Sequence, residues 1–141
     1  MNKLQNGTEL IKYSSELIKA EVVADSLNEQ GDRITTFVCT FPRIVLSEFN
    51  THRLFSRNSA SSRAIPFASM VDKIKTEPFI PSGWMEEHKG MQGAHYFEEE
   101  SKVSEFKKTW LEGRDAAINA AKKLSDMGLT KQLCNRIMEP Y

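Results

Sequence analysis

The chain has 141 residues, 40% of them hydrophobic, which suffices for one modest core, so a single domain over 1–141 is expected. Nineteen Lys plus Arg balance nineteen Asp plus Glu, and this zero formal charge excludes a whole-molecule field that would draw the protein to nucleic acid or an acidic membrane. No apolar run reaches the roughly 18 residues of a membrane span, and Met1 to Gly7 lacks the apolar core of a signal peptide, so a soluble cytoplasmic protein is expected.

Two strands come first, over 18–24 and 34–41, rich in β-branched and aromatic residues and joined by a polar turn ending in Gly31-Asp32. Alternation puts Phe37, Cys39 and Phe41 on one face, the expected core face of the second strand. Cys39 and Cys134 fit neither a metal-ligand spacing nor a disulfide framework, and both are expected to be buried thiols. Pro42 suits the first turn of a helix over 43–53, with Ile44, Val45, Leu46 and Phe49 on one side and Glu48 and His52 facing each other four residues apart.

From Leu54 to Pro66 apolar periodicity gives way to Ser, Asn and Arg, which predicts a loop. A short helix over 67–75 and an irregular connection over 77–93 follow, the latter marked by Pro78, Pro81, Gly83, Gly90 and Gly93. A long helix then opens with Glu98-Glu99-Glu100 in its first turn, carries a stripe of Val103, Phe106, Trp110, Ala117, Ala121 and Leu124, and closes with Lys122-Lys123 before Gly128. Thr130 caps a final helix that Pro140 stops, with Leu133, Cys134, Ile137 and Met138 on its apolar side and Gln132, Asn135, Arg136 and Glu139 on its polar side. The expected fold class is α+β, antiparallel strands packed with long helices. Trp84 and Trp110 are assigned to packing, and His88 and His95 lack the spacing of zinc ligands, so no metal site is expected.

The chemistry gathers in the loop. Phe49 to Val71 contains no acidic residue, while Arg53, Arg57 and Arg63 supply fixed positive charge, Ser56, Ser59, Ser61 and Ser62 supply hydroxyls, and Asn58 an amide. Guanidinium forks beside hydroxyls and backbone donors suit phosphate or another multiply charged anion. Two alternatives stay open: a solvated basic loop paired with acids elsewhere, and a nucleic-acid-binding module, for which Phe55 is the only stacking ring at hand.

The order of these residues, His52-Arg53, seven residues, Ser61, with Asn58 in the gap and Arg63 two places after the Ser, resembles the signature of the flavin-dependent thymidylate synthases. A second segment, Asn135-Arg136-Ile137-Met138-Glu139-Pro140, resembles that family's Ala-Arg-x-x-Leu-Pro segment on a late helix. The resemblance covers roughly 18–141 and implies a flavin-dependent thymidylate synthase-like fold, FAD as cofactor, deoxyuridine monophosphate (dUMP) as substrate, and methylenetetrahydrofolate and NADPH as co-substrates. It implies flavin contacts from His52, Arg53, Leu54 and Asn58, and dUMP contacts from Glu48, Ser61, Ser62, Arg63 and Arg136, in a homotetramer with shared sites.

No side chain is assigned as a nucleophile or general base, because hydride chemistry belongs to the flavin and the protein binds, orients and polarises. The chain departs from the family pattern at Thr51, where an Arg is usual, and at Ser59, where a Glu is usual, and no His lies between Leu27 and Arg33. Arg57 is the cation that would replace the lost charge. Family members run on past the position of Tyr141, so an incomplete domain is expected. A non-catalytic or split fragment that acts with a partner chain is therefore the alternative, with an exposed apolar side on the last helix as its sign.

Overall fold

Among residues 12–14, 18–90, 93 and 95–141, which the computed structural model describes, the order of elements is α+β, and Met1 to Gly7 lies outside them. The chain clusters into two units, 1–49 and 50–141.

In the first unit β2 (Lys19–Leu27) pairs antiparallel with β3 (Arg33–Thr40) and with a short β1 (Lys12–Ser14), in the order β1-β2-β3. Sequence reading anticipates neither β1 nor the extension of β2 to Leu27. The extension is stable because its polar residues find partners within the ladder: Asp25 sits opposite Thr35 and accepts from Thr35 Oγ1 at 2.8 Å and from Arg33 Nε at 2.9 Å. Those bonds hold the Asp25 carboxyl below its ordinary range, the Arg33 bond being the larger cause. Asn28 organises the connection, its Oδ1 accepting from the backbone N–H of Gln30 at 3.0 Å and of Asp32 at 2.7 Å, while Gly31 takes the positive φ of 88° that closes the turn.

The expected core face of β3 does not form. Val22 on the central strand is buried at 6%, yet Phe37, its direct partner in register, is 51% exposed, and Cys39 is exposed where a buried thiol is expected. β2 has neighbours on both sides and β3 is an edge of the described sheet, yet Val23 and Leu27 on β2 are exposed too, so sharing a face does not by itself bury a side chain. A register shift between Val22 and Ala24 marks a bulge in β2.

The helix expected over 43–53 is also shorter. A 3-10 turn over Arg43–Val45 leads into α1 (Leu46–Phe49), and the helix ends there. Asn50 and Thr51, which favour turns over helix interiors, follow at once. Glu48 and His52 therefore share no helix face. Phe41 and Phe49, with ring centroids 5.1 Å apart, close this strand-to-helix corner.

The second unit holds the sealed core. α2 (Phe67–Thr76) contributes Met70, Val71 and Ile74, α3 (Glu100–Asp126) Ile118 and Ala121, and α4 (Lys131–Ile137) Cys134, with Met138 just beyond it. Cys134 is fully buried, as expected of a small apolar thiol. α3 starts later than expected: Glu99 is its N-cap and only Glu100 lies in the first turn. Its end is a Schellman motif, with Gly128 at φ 86°, Gly128 N donating to Ser125 O at 2.9 Å and Leu129 N to Leu124 O at 3.0 Å. Trp110 Nε1 donates to Phe79 O at 2.8 Å, and Trp84 packs against Phe106 at 5.5 Å and Trp110 at 6.3 Å, so both Trp residues fasten the 77–99 connection onto α3.

Candidate functional site

The loop between α1 and α2 is built in two parts. From Asn50 to Ser61 every side chain is exposed, Leu54 at 98%, and Arg57 Nη1 donates to the carbonyl of His52 while the His52 ring meets Phe55 edge-on at 6.3 Å. Arg53 and Asn58 stand exposed on the same stretch. Of these, His52, Arg53, Leu54 and Asn58 are the residues that the family resemblance directs toward a flavin.

After Ser61 the loop is anchored. Ser61 O accepts from Ala64 N at 2.9 Å, Ser61 Oγ accepts from Arg63 N at 3.2 Å, and Ser62 is buried at 5%. This turn is tied to α4 by three side-chain bonds: Arg63 Nε donates to Gln132 Oε1 at 2.7 Å, and Asn135 Nδ2 donates to Ser62 O and to Ile65 O, each at 3.0 Å. Two segments some seventy positions apart, each selected for its sequence pattern, thus meet.

Arg136 is exposed and lies one helical turn after Gln132, which puts their Cβ atoms about 5–6 Å apart on one side of α4. Arg63 touches Gln132, one turn before Arg136, and the side chains of Ser61, Arg63, Gln132 and Arg136 carry donors of the kind an anion with several acceptor oxygens takes. Thr130 fixes where α4 begins, its side chain accepting from Gln132 N at 3.2 Å, so the cap also sets the register of Gln132 and Arg136.

The polar and apolar sides assigned to the last helix need correction. Asn135, placed on the polar side, is fully buried, while Leu133 at 44% and Ile137 at 37% are exposed. The buried arc is Cys134, Asn135 and Met138, which keeps Cys134 and Met138 of the expected side and is turned from it by about 80°. Asn135 is the functional candidate that pattern reading misses. Its place one residue from Cys134 and three from Met138 is the available signal.

Glu48 lies on α1 in the first unit, its carboxylate accepting from Ser47 Oγ at 2.7 Å, and that bond holds its carboxyl below the ordinary range. A shallow groove walled by Phe67, Val71 and Lys75 of α2 and by Lys122 of α3 contains none of the sequence-selected residues. No group of three or more His, Cys, Asp or Glu gathers as a metal site among the described residues. No helix there is long and apolar enough to cross a membrane.

No protein-family model matches the chain, and neither a curated protein nor a solved structure does.

Proposed function

We propose that this chain is part of a flavin-dependent thymidylate synthase of the cytoplasm, catalysing the FAD-dependent reductive methylation of dUMP with methylenetetrahydrofolate and NADPH. The observation that carries the reading is the attachment of the Ser61–Ile65 turn to α4, which brings Arg63 to Gln132, one turn from Arg136. A nucleoside monophosphate offers phosphate and uracil carbonyl oxygens, all acceptors, and Ser61, Arg63 and Arg136 supply donors in return. The donor set therefore fits the substrate.

For the cofactor, the exposed residues His52, Arg53, Leu54 and Asn58 offer an imidazole, a guanidinium group, an apolar side chain and an amide that can bind a flavin's phosphates and ring edges. When bound, the flavin supplies the hydride chemistry. Arg63 and Arg136 then hold the nucleotide and draw electron density toward the uracil carbonyls, work that needs neither a nucleophile nor a general base. Exposed Leu133 and Ile137 leave an apolar side on α4 that another subunit or a partner chain would cover, and the homotetramer with shared sites is what the family resemblance implies.

The test is calorimetric titration of the purified chain with FAD and with dUMP. Arg63→Ala and Arg136→Ala are each expected to weaken dUMP by about tenfold or more, the cost of one charge-assisted contact. Unchanged affinity in both variants overturns the nucleotide assignment. Flavin fluorescence that does not change on titration overturns the cofactor assignment.

A further inference from the structure

Asn135 is fully buried, yet its Oδ1 finds no hydrogen-bond partner among the described residues. A buried amide oxygen without a partner is unfavourable, and an apolar side chain at the same place would avoid that cost. What offsets it lies on the other side of the amide, where Nδ2 serves two carbonyls at once, those of Ser62 and Ile65, at 3.0 Å each. These two residues bracket Arg63, whose Nε reaches Gln132. One side chain therefore fixes the backbone on both sides of Arg63 to the helix that carries Arg136.

We infer that Asn135 is a positioning residue: it clamps the 62–65 backbone onto α4 and so sets the spacing between Arg63 and Arg136, without touching the ligand. Naming dUMP as that ligand rests on the proposed function, whereas the clamp itself does not.

The full chain is compared with Asn135→Leu, which fills similar space without a donor and removes the unpaired oxygen, and with Asn135→Ala. Three readouts are used: dUMP affinity by calorimetry, trypsin cleavage after Arg63 under native conditions, and hydrogen exchange of the Asn135 side-chain amide in the unaltered protein. Slow exchange of that amide is expected, because both its protons are engaged inside the core. In folded Asn135→Leu, cleavage after Arg63 accelerates at least about tenfold as the turn lifts from α4. Affinity for dUMP falls by about tenfold, as for loss of one charge-assisted contact.

In an Arg63→Ala background the same change at Asn135 costs no further affinity, since it acts through Arg63. General destabilisation would instead weaken binding equally in both backgrounds. Additive losses, an unchanged cleavage rate, or fast exchange of the Asn135 amide overturns the inference. If neither variant folds, exchange in the unaltered protein decides the clamp. Absence of dUMP binding by the unaltered protein overturns the ligand and with it the positioning role, while cleavage and exchange still report the clamp separately.

Discussion

In the unit that ends at Phe49, Val22 is the one buried hydrophobic residue among those described, whereas the unit from Asn50 buries Met70, Val71, Ile74, Ile118, Ala121, Cys134 and Met138 in a single cluster. The sheet unit is nevertheless rich in apolar side chains. Ile34 at 70%, Val38 at 56% and Val23 at 49% remain exposed on strands whose order comes from the backbone ladder, the Asn28 turn and the Asp25–Arg33 pair. Residues of similar hydrophobicity thus contribute burial in one region and strand propensity in the other.

The largest expected effect tests that contrast directly. Ile118 is 2% exposed at the centre of the helical cluster, and Ile118→Ala should lower the unfolding free energy by about 2–5 kcal/mol through lost transfer energy and an unfilled cavity. Val38→Ala on the edge strand should change it by no more than about 0.5 kcal/mol. Urea denaturation followed by far-UV circular dichroism measures both. Equal shifts would mean that the outer face of β3 is covered in solution and would erase the difference between the units.

A smaller effect sharpens the comparison inside the helical unit. Thr130→Ala removes the cap bond to Gln132 N and should cost about 1 kcal/mol. Exchange of the Gln132 amide should quicken, with the amides of β2 and β3 unaffected. Quickened exchange in the sheet as well would show that the two units do not unfold independently.

These elements also show what a sequence can and cannot convey. The α3 stripe, the Gly128 stop and the Thr130 cap are legible because each is a local rule acting within a turn or two of chain. The signature loop is legible as a pattern of residue types. Its attachment to α4 is not, because the bonds are made by Asn135 to backbone carbonyls, and a carbonyl at Ser62 or Ile65 leaves no trace in residue identity. The same limit explains Cys39 and Phe37: alternation shows that two residues share a face, while coverage of that face depends on what packs over it. The end of α1 at Phe49 turned on competition between Phe49's apolar periodicity and the turn preference of Asn50-Thr51, which the turn won.

The smallest effect belongs to the polar stitching of the sheet, and its sign can be worked out. The Asp25 carboxyl is held below its ordinary value of 3.8, first by its bond from Arg33 and then by that from Thr35. A carboxyl whose value is lowered on folding contributes stability that is fully present above the unfolded value and is lost as pH falls through the lowered one. Removing the larger cause with Arg33→Gln should therefore reduce the protection of β2 and β3 amides near neutral pH. The gap between variant and unaltered protein should begin to close as the pH falls into the ordinary carboxylate range and close fully only below it, at the lowered value. Added salt should narrow it too, because the Arg33 side chain is 59% exposed and the pair is open to screening. Amides in the middle of α3 should show neither dependence, since apolar burial there does not titrate. A gap that persists unchanged into acid would mean that Arg33 supports the sheet by packing its aliphatic stem, and the sheet would then resemble the helical unit more closely than its exposed surface suggests.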